Sequence, residues 1–144
     1  MKVQAENLTR MCEEILKKGG CLDDLPKERI PKLADVLNEC FGQIDKPIIT
    51  IAELSGINNS SIHKALNGEM NPTRNTLLRL AFTMELSFET TQVLLKSGNR
   101  SSLSGGRDRD RIIMQGIIKG YHLGDVCDEL TKNGFRDLYS KQDF

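Results

Sequence analysis

Histidine and cysteine are scarce in this 144-residue chain: His63, His122, Cys12, Cys21, Cys40 and Cys127. Their spacing does not support metal or nucleophilic chemistry. There is no Cys-x-x-Cys pair and no histidine at ligand distance along the chain from a cysteine, so no zinc site is expected. The scattered cysteines read as reduced thiols of a cytoplasmic protein, two or three of them in the core. Neither histidine belongs to a Ser/His/Asp or Cys/His signature. The carboxylates are spread as helix-surface charges, and no P-loop or G-x-G-x-x-G follows a strand pattern. No catalytic residue, cofactor or metal is therefore expected, and the chain does not read as an enzyme. What remains is hydrogen-bonding chemistry, concentrated in Asn58-Asn59-Ser60-Ser61 and followed by His63 and Lys64. Amides and hydroxyls packed this densely at a helix start either cap the helix or bond a polar partner outside it.

The elements that must position this run are helical throughout. Hydrophobic residues make up 38% of the chain and charged residues 28%, which is globular rather than disordered composition. With aromatics at 5% and no Trp, the core must rest on Leu, Ile, Val, Met and Ala, a palette suited to helix packing. No apolar run approaches the roughly 18 residues that span a bilayer, and the opening residues do not form a signal peptide. In residues 4–18, Leu8, Met11, Cys12, Ile15 and Leu16 form one helical stripe, ended by Gly19-Gly20. A second helix has Pro31 near its start, an apolar face of Leu33, Val36, Leu37, Cys40 and Phe41, and its end around Gly42.

From residue 47 to 98 short apolar patterns alternate with punctuation. Ile51, Ala52 and Leu54 lie on a helix broken by Gly56. Ile62, Ala65 and Leu66 lie on the next, with Asn58 as its cap and Asn67-Gly68 as its end. Thr73 or Asn75 caps a helix carrying Leu77, Leu78, Leu80 and Ala81, and Ser87 caps another carrying Val93, Leu94 and Leu95. Residues 98–106 are rich in glycine and serine and read as a boundary or flexible joint. Two helices follow, over 110–119 and 123–132, with Gly120 and Gly134 at their C-terminal caps. The arginines Arg100, Arg107, Arg109 and Arg111 face Asp108 and Asp110, a pattern read as a solvated, salt-bridged helix start. His122 reads as a residue that caps or packs near a helix start. The expected organisation is an N-terminal helical segment (1–46), a central domain (47–98), and a linker with a helical pair (99–144).

The stretch IAELSGINNSSIHKALNGEMNP, residues 51–72, resembles the helix-turn-helix of the Cro and repressor (XRE-type) regulators of phages and bacteria. Ala52 is small where two helices must approach, Gly56 occupies the tight turn, and Ile57 and Ile62 are apolar where the second helix is pinned to the core. The tail, with RDRIIMQGI and GYHLGDVCDEL, is similar to what trails this domain in some small bacterial regulators. The resemblance implies an all-α, phage-repressor-like bundle with extra N-terminal helices and a C-terminal helix pair. It implies a recognition helix at about 58–67 that enters the major groove of double-stranded DNA. On it, Asn59, Ser60, Ser61, His63 and Lys64 fall at the reading end, where Asn can pair bidentately with adenine and Lys can reach guanine or a phosphate. Arg74, just beyond the following loop, is assigned to a phosphate, and a homodimer is implied because one recognition helix buries little surface.

Two departures from the family pattern favour another reading. Pro47-Ile48-Ile49 stands where a polar side chain usually opens the first helix of the motif. The chain also has zero net charge, and residues 47–98 balance Lys64, Arg74, Arg79 and Lys96 against Glu53, Glu69, Glu85 and Glu89. Phosphate contacts by basic residues supply much of DNA affinity. The alternative is a protein-interaction adaptor or antitoxin-like partner that keeps the fold without strong DNA binding.

Overall fold

The structure, a computed structural model, describes residues 30–141. The helix expected over 4–18, with Cys12 and Cys21, lies outside them. The described residues are all-α: seven helices and no strand. They are α1 (Leu33–Gln43), α2 (Ile48–Ser55), α3 (Asn59–Leu66), α4 (Arg74–Thr83), α5 (Phe88–Ser97), α6 (Asp108–Lys119) and α7 (Leu123–Lys132). None is long and apolar enough to cross a membrane.

Local chemistry accounts for most boundaries. Thr73 and Ser87 cap α4 and α5 by accepting from the N–H groups of Thr76 and Thr90 at 3.3 and 3.1 Å. Thr73, not Asn75, is thus the cap of α4. Asn75 is buried and its amide donates to Ser140 O at 3.0 Å. His122 precedes α7 as its cap residue, with Asp125 accepting from its backbone N–H at 3.3 Å. At α2 no side-chain cap forms; Pro47 supplies the extended entry with φ −68°.

The packing is continuous. α1 lies against α3 and α5, α2 against α3 and α4, and α4 against α5 and α7, while α6 bridges α5 and α7. One hydrophobic cluster runs from Val36 and Leu37 through Ile51, Leu77, Leu78, Val93, Leu94 and Leu95 to Ile113, Leu130 and Leu138. It crosses both boundaries expected from the sequence, at 46 and at 98. Cys40 and Cys127 are buried and form no disulfide among the described residues. At Gly116 the helices come so close that a Cβ would lie 3.1 Å from Val126 Cγ2 and 3.3 Å from the Phe82 ring.

Residues 98–106 are not a joint. The Gln92 amide closes two bonds with the backbone of Leu103, at 3.0 and 2.7 Å, and Leu103 is buried. Arg100 donates to the carbonyls of Pro72 and Asn71 at 3.0 and 3.2 Å. A segment without its own ladder satisfies its backbone through side chains instead, which holds it in one path.

The strongest of these ties is ionic. Arg74, the first residue of α4, is buried, and its guanidinium meets the Asp110 carboxylate of α6 with two bonds of 3.1 and 2.9 Å. The two side chains are 4% and 2% exposed. Arg74 also donates to Ser101 O and Ser102 O at 2.8 and 3.2 Å, and Asp110 accepts from Ser104 N at 3.0 Å. Asp110 is thus the core of the arginine-rich helix start rather than part of a solvated face. Only Arg107, 3.5 Å from Asp110, and the Arg111–Asp108 pair are exposed there as expected.

Removing one member strands a buried charge. Asp110→Ala is expected to destabilise the protein by about 3–5 kcal/mol, whereas Arg74→Met with Asp110→Leu recovers most of that loss. Urea unfolding of the three proteins checks the ordering.

Candidate nucleic-acid interface

The candidate interface begins with the turn between α2 and α3. Gly56 ends α2 in the left-handed region, φ +70°, and its N–H returns to Ala52 O. Ile57 N donates to the same carbonyl at 3.1 Å, and Ile57 is buried. A side chain at Gly56 would be strained twice over, by the φ and by a Cβ placed 3.0 Å from Tyr139 Cε1. Ala52 is buried between the helices, as the expected close approach requires.

Asn58 then caps α3. Its Oδ1 accepts from Ser60 N at 2.9 Å and from Ser60 Oγ at 2.8 Å. Ile62 and Ala65 are buried on one side of α3, which turns the opposite face to solvent. Asn59, Ser60, His63 and Lys64 are exposed there, and Ser61 is half-buried at the edge. The proton of Ser60 is already given to Asn58, leaving that hydroxyl an acceptor. The Asn59 amide bonds to no other described residue and keeps both its donor and its acceptor for a partner.

Asn67, exposed at the end of α3, extends the stripe Ser60, His63, Lys64, Asn67 at i, i+3, i+4 and i+7. The sequence marks Asn67 as the end of the helix and the start of the loop after it, not as part of the exposed stripe. With about 1.5 Å of rise per residue, the face from 59 to 67 runs about 12 Å, comparable to the width of the major groove.

Arg74 does not belong to this face. Contrary to the phosphate contact expected from the sequence, its guanidinium is buried and points inward to Asp110 and to two loop carbonyls. A cation at the first residue of a helix opposes the dipole, and the buried carboxylate explains its presence there. Nearby arginines are likewise used inside. Arg79 on α4 donates to Ser55 O, at the end of α2, at 3.3 Å. Arg100 holds the loop after α3. On α1, Asn38 donates to Leu66 O at 2.9 Å, satisfying the C-terminus of α3. Sequence reading did not single out Arg79, Arg100 or Asn38 for these roles, because each bonds a backbone carbonyl more than twenty residues away.

Comparison with protein-family models, with curated proteins and with solved structures finds no match. The site must therefore be read from its own chemistry. The exposed face of α3 offers two amides, Asn59 and Asn67, that bond no other described residue, with two hydroxyls, an imidazole and one ammonium group. That set suits hydrogen bonding to a polar surface, with little net charge behind it. Asn58→Ala removes the acceptor for two donors and is expected to cost about 1 kcal/mol of stability, with Asn58→Asp retaining the cap. Thermal and urea unfolding of the two variants checks this.

Proposed function

We propose that the protein is a sequence-specific DNA-binding transcriptional regulator of cytoplasmic, bacterial or phage type. It acts as a homodimer, with α3 entering the major groove from each copy. The observation that carries this reading is the free Asn59 amide, at the exposed N-terminal end of a helix whose opposite face is pinned by Ile62 and Ala65. In this docking geometry the first turn of the second helix meets base edges. The motif resembles that of the Cro and repressor regulators, and Gly56 and Asn58 are in the conformations such a turn requires. Asn59 pairs with adenine, His63 and Ser60 flank it, and Lys64 reaches guanine or a phosphate.

With Arg74 internal, phosphate binding falls to Lys64, to neutral donors and to the backbone N–H groups opening α2 and α4. Few counterions are then released per copy, so salt dependence is shallow for a DNA-binding protein.

A second reading, a protein-interaction adaptor, is favoured by the surface of α2. Ile49 and Leu54 are 58% and 53% exposed there, beside a reading helix of low charge. Isolated exposed apolar residues are ordinary, but two on one eight-residue helix next to the candidate face are compatible with a protein partner.

Selection of binding sites from a random duplex library at low salt, followed by fluorescence anisotropy, separates the readings. The regulator enriches a discrete motif containing adenine. Asn59→Ala then weakens binding by about 1–3 kcal/mol and relaxes preference at that base. Lys64→Ala flattens the logarithmic salt dependence by about 0.9 per copy if it meets a phosphate. Failure to enrich any motif would reject the regulator and leave the adaptor.

A further inference from the structure

After α7 the chain turns at Gly134 and crosses back over α4 to the turn between α2 and α3. Its path is tightly held. Leu138 is fully buried, Arg109 donates to the carbonyls of Arg136 and Asp137 at 3.0 and 3.1 Å, and Asn75 donates to Ser140 O. These bonds deliver the Tyr139 ring to Arg79, with the guanidinium carbon 4.8 Å from the ring centroid. The edge of the same ring, at Cε1, lies 3.0 Å from where a Cβ of Gly56 would be. Arg79 in turn bonds Ser55 O, the terminal residue of α2, and Thr76 Oγ1 at 3.3 Å. Its Nε is buried with no hydrogen-bond partner among the described residues. Turn, guanidinium and ring therefore form three layers, each resting on the next.

We infer that Tyr139 is a positioning residue for α3, and that the C-terminal segment 135–140 opens and closes together with the α2–α3 turn. The physical reason is desolvation. Burial lowers the pKa of Arg79, so its charged form is kept at a cost that the ring face offsets. Without the ring, water reaches the guanidinium and its bond to Ser55 O competes with hydration. The end of α2 and the start of α3 then lose their common brace.

The same movement uncovers Cys127, a buried thiol next to the segment whose pKa is raised chiefly by burial. Cys127 thus reports on the segment. The charged and titratable groups around this contact are Arg79, Cys127, Asp137 and Asp128.

The coupling is a property of the fold, while its effect on DNA rests on the proposed reading of α3. The experiment uses the full chain with Tyr139→Ala and Tyr139→Phe. Amide exchange is followed at Gly56 and Ile57, and iodoacetamide labelling of Cys127 is read by peptide mass. Tyr139→Ala is expected to speed both by about tenfold, with Tyr139→Phe staying within about twofold of wild type. On DNA, Tyr139→Ala lowers the ratio of selected-site to scrambled-duplex affinity by about tenfold and leaves scrambled binding unchanged. Mere loss of folded protein would lower both in proportion.

Faster labelling of Cys127 with unchanged exchange at Gly56 and Ile57 would overturn the coupling. Should Tyr139→Ala not fold, wild type in low urea decides the matter. The segment and the turn must then lose protection with one shared urea dependence, and two separate dependences refute the inference. If wild type selects no duplex, the reading of α3 fails while the exchange arms still judge the coupling.

Discussion

A charge buried in a small helical protein constrains everything around it. Arg74 and Asp110 are both removed from water, and that is tolerable only while all their polar atoms stay bonded. The pair needs α4 and α6 in one register. It also needs the carbonyls of Ser101 and Ser102 and the N–H of Ser104 brought inward, which fixes the path of the chain between α5 and α6. A hydrophobic contact of the same area would have tolerated sliding; two-pronged guanidinium–carboxylate geometry does not. The ion pair therefore contributes less net stability than definition of how the C-terminal helices meet the helices before them.

The same economy governs the other arginines near α3. Arg79 and Arg100 bond backbone carbonyls, at the end of α2 and in the loop after α3, and so stiffen the segments on either side of it. Cations that could have met phosphates instead brace the scaffold, which leaves the exposed face of α3 polar but almost neutral. If that face reads DNA, discrimination at base edges must supply a larger share of affinity than phosphate attraction does. A neutral binder of this kind gains little from non-specific association and relies on a correctly set helix angle.

How much of this was legible in the sequence follows from how local each interaction is. Asn58 as a cap, Gly56 in a left-handed turn, Ile57 and Ile62 facing inward and the exposure of Asn59 all follow from neighbours within a few residues. Periodicity and punctuation revealed them, along with the all-α class and the helices after residue 47. Arg74 was misassigned because its partner lies 36 residues away, and a sequence window shows a cation at a helix start without showing the carboxylate that justifies it. Residues 98–106 misled for a related reason. Glycine and serine lower the cost of many paths, but they do not reveal that Gln92 and Arg74 select one. Tyr139 sits in a tail with no periodic pattern, so nothing local pointed to its place against Gly56.

The long-range contacts share a logic that the short-range ones do not. Each links the candidate interface to a part of the chain that a minimal helix-turn-helix would not need: Asn38 from α1, Arg100 from beyond α5, Tyr139 from beyond α7. A three-helix motif can hold α3 loosely through Ala52, Ile57 and Ile62 alone, because apolar contacts are non-directional. The Asn38 bond to the last carbonyl of α3, the Arg100 bonds to the loop after it and the Tyr139 ring over Arg79, which itself bonds the last carbonyl of α2, restrict the remaining freedom from three different parts of the chain. The orientation of the exposed face of α3 is therefore a property of the whole described chain. A substitution far from α3 can change how its exposed face is presented without touching any residue on its surface.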